Sequence, residues 1–227
     1  DNPLIVHIAG ISDIDRLAES VSAEARRLIE AFMPGPFTII LKKSAIVPDA
    51  VTAGMDTVGI RFPENDTAQR FIRAAGVPIA APSANLSGKP SPTEAKHVID
   101  DMTGRIDAVI DGGSCSVGVE STIVDASGAV PVVLRPGGVT YEELTAAVPE
   151  TVIDPHILES IGEGERPKCP GMKYKHYAPD AEVTVIEGAM DAVKKKIDEL
   201  LLKNSGKVCG VLTMSDNAYD SAVILCA

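Results

Sequence analysis

The sequence predicts a mixed α/β protein, in which a sheet flanked by helices is followed by a linker and a smaller second α/β segment. Three observations lead there. Short apolar strands alternate with capped helices over residues 1–148, that rhythm is lost over residues 149–180, and a fresh strand–helix–strand pattern opens at Ala181.

Taken in order, Leu4–Ile8 reads as the first strand. Ser22, followed by Glu24 and an amphipathic run, caps a helix that must stop before Pro34-Gly35-Pro36. Strands follow at Phe37–Leu41 and Thr57–Phe62; Asp66 is placed to cap a helix that Gly76 ends. Pro78–Ala81 reads as a strand, and Ser91-Pro92-Thr93-Glu94 has the composition of a capping box with proline at the first helical position. Ala108–Ile110, Ser121–Asp125 and Val132–Arg135 are further strands, and Thr140-Tyr141-Glu142-Glu143 is a second box. In the last segment Val183–Ile186, Val208–Leu212 and Ala222–Leu225 read as strands around a helix over Met190–Leu202. Three short strands make a thin core, so this segment is expected to continue beyond Ala227.

Composition bounds the function. The 227 residues are 45% hydrophobic, enough for one large domain or a medium one plus a small one. The net charge of -11 argues against a general nucleic-acid coat, which works by neutralising phosphates, though not against a local anion site. Four cysteines without a C-x-x-C pair and four histidines without H-x-x-x-H spacing make a zinc site a poor reading and a reduced, cytoplasmic protein the expected one. No apolar run reaches the roughly 20 residues of a bilayer span, and residue 1 opens no signal peptide. There is no Walker loop and no Gly-x-Ser-x-Gly elbow.

Several constellations have the residue types of a binding site. Ala81-Pro82-Ser83-Ala84-Asn85 through Ser91 is a loop of hydroxyls and an amide running toward a helix start, which suits an anion and equally suits a plain turn and cap. Arg61 and Arg135 each end an apolar strand just before a proline, where a guanidinium needs an acid, such as Glu120, or a ligand carboxylate or phosphate. Gly118–Asp125 enters a strand at Ser121-Thr122, whose hydroxyls either face a polar ligand or satisfy the strand edge. His7 is a lone histidine at a strand end, more often structural than catalytic. Pro170–Pro179, with Lys173, Tyr174, Lys175 and Tyr177, reads as a solvated linker or as a strip that stacks on a base.

In this order the motifs resemble those of the YrdC-like threonylcarbamoyl-AMP synthases in their long, two-domain form. The matching pieces are Asp1–His7, Pro34–Thr38, Val58–Arg61, Ala81–Asn85 through Thr93, Gly118–Asp125, Arg135–Gly137 and Pro170–Pro179. The resemblance implies a YrdC-like twisted mixed sheet flanked by helices (1–148), a linker lying over the active site (149–180) and a smaller Rossmann-like α/β domain (181–227). It implies an enzyme that joins L-threonine, bicarbonate and ATP, with Mg2+, into threonylcarbamoyl-adenylate and pyrophosphate. Downstream enzymes then transfer the threonylcarbamoyl group to tRNA. The family's threonine contacts fall on His7, Arg61, Ala81 and Ser121. Its ATP contacts fall on Thr57, Ser83, Ser91 and Arg135, with Tyr174 or Tyr177 from the linker; Asn85 and Thr122 are secondary candidates. No side chain is assigned as nucleophile or general base, and no resident metal site is expected.

In the family, the segment ahead of Asp1 carries a lysine and an arginine that grip the triphosphate, and a threonine that meets the substrate. A polypeptide without it is expected to have little synthase activity. Two other readings are a carbamoyl-transfer module, which the linker motif speaks against, and a non-catalytic RNA-binding protein, which the acidic balance speaks against. Direct tRNA binding stays open at this level.

Overall fold

The computed structural model describes residues 2–157, 182–213 and 223–226, and the chain divides into two compact units, Asp1–Ala178 and Pro179–Ala227. The first unit runs β1 (Ile5–His7), α1 (Ile14–Leu17), α2 (Ala23–Phe32), β2 (Phe37–Lys42), α3 (Asp49–Thr52), β3 (Thr57–Arg61) and α4 (Asp66–Ala75). It continues with β4 (Ile79–Ala81), α5 (Ala95–Met102), β5 (Thr122–Asp125), β6 (Val132–Arg135), α6 (Tyr141–Ala147) and β7 (Val152–Ile153). The second holds α7 (Met190–Lys203) and a parallel pair, β8 (Gly210–Thr213) with β9 (Val223–Cys226).

The seven strands of the first unit form a mixed sheet in the order β4-β1-β3-β2-β5-β6-β7. β1 pairs parallel with β3 and antiparallel with β4, while β2 runs antiparallel to β3 and parallel to β5. The expected mixed α/β architecture is therefore present. Side chains alternate between the two faces of a strand, and here the faces differ in kind. Phe37, Ile39 and Leu41 of β2, with Val58 and Ile60 of β3, join Ile14, Leu28, Ile29 and Leu144 from the helices in the main core. The intervening residues belong to the other face. There Ile40, Ile123 and Leu134 make a small apolar patch, and Gly59 lies against Thr38, Ile40 and Ile5.

The helix signals were mostly sound. Ser22 accepts the Ala25 N–H at 3.1 Å, and Thr140 and Glu143 form the predicted reciprocal box. Gly76 closes α4 in the left-handed region at φ 70°. Asn65, not Asp66, caps α4, accepting from Ala68 N at 3.0 Å. The Ser91 box is not formed: α5 starts at Ala95, and the Thr93 N–H donates instead to His97 Nδ1 at 3.3 Å. Ala108–Ile110 pairs with no strand among the described residues, and residues 103–119 are exposed throughout. Val183–Ile186 is likewise unpaired. β7, which the sequence did not suggest, is two exposed residues added parallel to β6. Among the described residues no helix is long and apolar enough to cross a membrane.

Candidate functional site

A cleft of about 710 Å3 opens on the first unit, lined by ends of β1, β3, β4 and β6, the loop after β4 and the glycine-bracketed segment before β5. Strand register assembles its floor. His7 is the cross-strand partner of both Arg61 and Ile79, and Ile5 of Ala81, so three short strands set His7 beside Arg61 and bring Ala81 in two positions along β1. Ser121, Ser83, Asn85, Ser91 and Arg135 also line this cleft. Residues far apart in sequence thus converge, which none of the motifs requires by itself.

Arg61 sets the charge of the site. Its Nε donates a long bond to Gly35 O at 3.4 Å, and it pairs with no acid among the described residues, so the Glu120 ion pair considered from sequence is not made by Arg61. Burial first, then the nearby positive charge of Arg135, pushes the Arg61 guanidinium pKa down. Arg135 turns back onto the strand entrance: its Nη2 donates to Ser121 O at 2.8 Å and to Ser121 Oγ at 3.1 Å. Two guanidiniums brought this close repel each other unless an anion lies between or beside them.

His7 is held neutral. Its Nδ1 sits 3.1 Å from Ile5 O, which fixes that nitrogen as the N–H and leaves Nε2 as an acceptor. Burial and the Arg61 charge lower its pKa from 6.5 to about 4. Between those two values the unfolded chain takes up a proton that the folded chain refuses, so His7 lowers stability as pH falls from 6.5 toward 4 and costs nothing above that window. Melting temperatures measured against pH are expected to rise less steeply between pH 4 and 6.5 in His7→Asn than in the parent chain. Parallel slopes in the two proteins would contradict the buried, neutral ring.

The loop after β4 is stapled at its far end. Asp101 of α5 accepts from Leu86 N at 3.2 Å and from Lys89 Nζ at 2.6 Å, and Asn85 donates through Nδ2 to Leu86 O and Lys89 O. Asn85 Oδ1, and also Ser91 Oγ, are buried with no hydrogen-bond partner among the described residues. Such atoms cost stability until a donor reaches them.

Two candidates fall elsewhere. Thr122 is buried, and its hydroxyl donates to Val139 O at 2.6 Å and accepts from Val139 N at 2.9 Å, so it serves the strand entrance and not the cleft. Thr57 lines a separate gap of about 10 Å3 with Thr38, Ile40 and Gly59. It lies at the opposite end of β3 from Arg61, about 13 Å away at the usual strand rise. Tyr174 and Tyr177, with the rest of the expected linker, lie outside the described residues. Sequence reading passed over Asn2, Glu64, Asn65 and Cys115 on the wall, and Thr38 beneath Ser121. For Thr38 a signal existed: it is the one polar residue within Phe37–Leu41.

Comparison with known proteins adds an independent line. Residues 1–137 match the Sua5–YciO–YrdC family model, described as Telomere recombination, and residues 139–226 match a model described as Threonylcarbamoyl-AMP synthase, C-terminal domain. A threonylcarbamoyl-AMP synthase of Pyrococcus abyssi is 47% identical over 97% of this chain, and one of Bacillus subtilis 46% identical over 96%. The crystal structure of P. abyssi Sua5 complexed with L-threonine superposes with a TM-score of 0.90 at 45% identity, covering 99% of this chain and 65% of that one. The chain spans 64% and 62% of the lengths of those two curated relatives.

Proposed function

The chain belongs to the Sua5–YciO–YrdC family, in the form that carries the synthase C-terminal domain, and on that premise we propose that it makes threonylcarbamoyl-adenylate from L-threonine, bicarbonate and ATP. The observation that carries this reading is Arg61. A partly buried guanidinium with no acid partner among the described residues, beside a neutral imidazole and a second arginine, is a receptor for a small carboxylate.

The chemistry suits that receptor. The threonine amine bonds to the carbon of bicarbonate with loss of water, giving a carbamate. A carbamate oxygen then attacks the α-phosphorus of ATP; the bond to the bridging oxygen breaks and pyrophosphate leaves with the electron pair. Catalysis of this kind needs placement and charge more than a protein nucleophile. Arg61, Ala81, Ser121 and the Nε2 acceptor of His7 are proposed to hold the amino acid. Ser83, Ser91, Asn85 and Arg135 are proposed to hold the nucleotide, whose ribose hydroxyls and base amine are donors for the two orphaned acceptors. Thr57, Tyr174 and Tyr177 remain proposed nucleotide contacts, the tyrosines through a linker that covers the site. Among the polar groups that line the cleft, guanidinium, hydroxyl and amide predominate, with Glu64 and Glu120 as its acids, a set suited to anionic oxygens. Magnesium is therefore proposed to arrive on the triphosphate. The product would feed cytoplasmic enzymes that modify tRNA.

The test uses the full-length protein with ATP, magnesium, bicarbonate and L-threonine, with mass spectrometry for the adenylate and a separate measure of pyrophosphate. Product that requires both threonine and bicarbonate is expected. Sound folding and intact ATP with no product would overturn the reading.

A further inference from the structure

The hydroxyl of Thr38 is wholly buried on β2, and among the described residues its one hydrogen-bond partner is Ser121 Oγ, at 2.8 Å. Distance does not say which oxygen donates. The surroundings do. Ser121 Oγ already accepts from Arg135 Nη2 at 3.1 Å. If Ser121 donated to Thr38, the Thr38 proton would have no acceptor inside the core, and an unmet buried donor is costly. With Thr38 donating, both lone pairs of Ser121 are filled, by Thr38 and by Arg135. The remaining direction for the Ser121 proton is outward, and Ser121 lines the cleft.

We propose that Thr38 is a positioning residue: by donating to Ser121 Oγ it fixes that hydroxyl as a hydrogen-bond donor aimed at an anionic oxygen of the bound amino acid. The role assigned to the ligand rests on the synthase reading; the direction of the hydrogen bond does not. Thr38 never touches substrate in this arrangement. It acts through Ser121, from a strand whose neighbouring residues Phe37 and Ile39 are core. The device also explains why a hydroxyl sits in an otherwise apolar run.

Two measurements separate the parts. Neutron diffraction from deuterium-exchanged crystals of the full-length protein reads the direction whether or not the enzyme turns over. A deuteron on Thr38 Oγ1 directed to Ser121, with the Ser121 deuteron turned to the cleft, is expected; a Ser121 deuteron on the line to Thr38 overturns the proposal. Kinetics of the full-length enzyme then read the role. Thr38→Val is expected to raise KM for L-threonine about tenfold with kcat nearly held. Thr38→Ser should restore the parent value, and Thr38→Val should add little in a Ser121→Ala background. An unchanged KM in Thr38→Val, or an equal penalty in both backgrounds, would reject the positioning role. Absence of threonine-dependent product in the parent enzyme would instead reject the synthase reading, with the neutron result still deciding the direction.

Discussion

Arg61→Ala is expected to lower kcat/KM for L-threonine by about a hundredfold to a thousandfold, the usual consequence of deleting one partner of a buried, charge-assisted contact. Its effect on stability is expected to be of the opposite kind. Arg61 has a long bond to Gly35 O, no acid partner among the described residues, and a pKa pushed down by burial and by Arg135. Removing such a charge relieves the fold, so the melting temperature should hold or rise. Arg61→Lys should recover little activity, because a point charge does not reproduce the planar fork. A variant that loses activity and melting temperature together would show Arg61 to be structural, and the site assignment would fail.

The second large effect is expected at Gly137. A Cβ built there would stand 2.3 Å from Glu120 O, 2.5 Å from Thr122 N and 2.6 Å from Ser121 C, all backbone atoms with no rotamer to yield. Gly138 N also donates to Glu120 O at 3.0 Å, so the turn after β6 is laid directly on the entrance to β5. Gly137→Ala must part those two segments. The cost expected is about 3 kcal/mol, the upper end for overpacking a tight site. In a domain of this size that is a fall of roughly 6–12 °C in melting temperature. Because the same contact brings Arg135 to Ser121, adenylate formation should fall with it, even well below the new melting temperature. An unaltered melting curve would mean that the two segments separate freely.

Much of this was legible from sequence, for reasons that can be named. β1 to β6 announced themselves as apolar runs, and Ser22 and Thr140 as caps, because those signals are local. The failures are of pairing and packing. Ala108–Ile110 has the composition of a strand, but a strand requires a partner, and the register of partners is not written in three residues. Ser91 matched a capping pattern, yet its hydroxyl is buried with no hydrogen-bond partner among the described residues. Among site residues, Arg61, Arg135 and His7 stood out as charged or polar ends of apolar strands, and the structure places all three on one cleft. Thr122 and Ser121 are neighbours of the same chemistry, and only the alternation of faces tells the buried hydroxyl from the cleft one. Thr38 showed only as a polar residue in an apolar run, and its partner, an atom 83 residues away in sequence, did not show.

The two-faced sheet also has an evolutionary consequence. His7, Arg61 and Thr38 share strands with core residues one position away, so a one-residue insertion or deletion in β1, β2 or β3 would carry an arginine inward and an isoleucine into the cleft. Length variation in those strands should therefore be purged at once, whereas the exposed stretch 103–111, outside the cleft lining and without strand pairing among the described residues, can absorb changes in length. Single substitutions on the cleft face leave the core alone. The lineage can thus explore new substrates one residue at a time, while the spacing of the strands stays frozen.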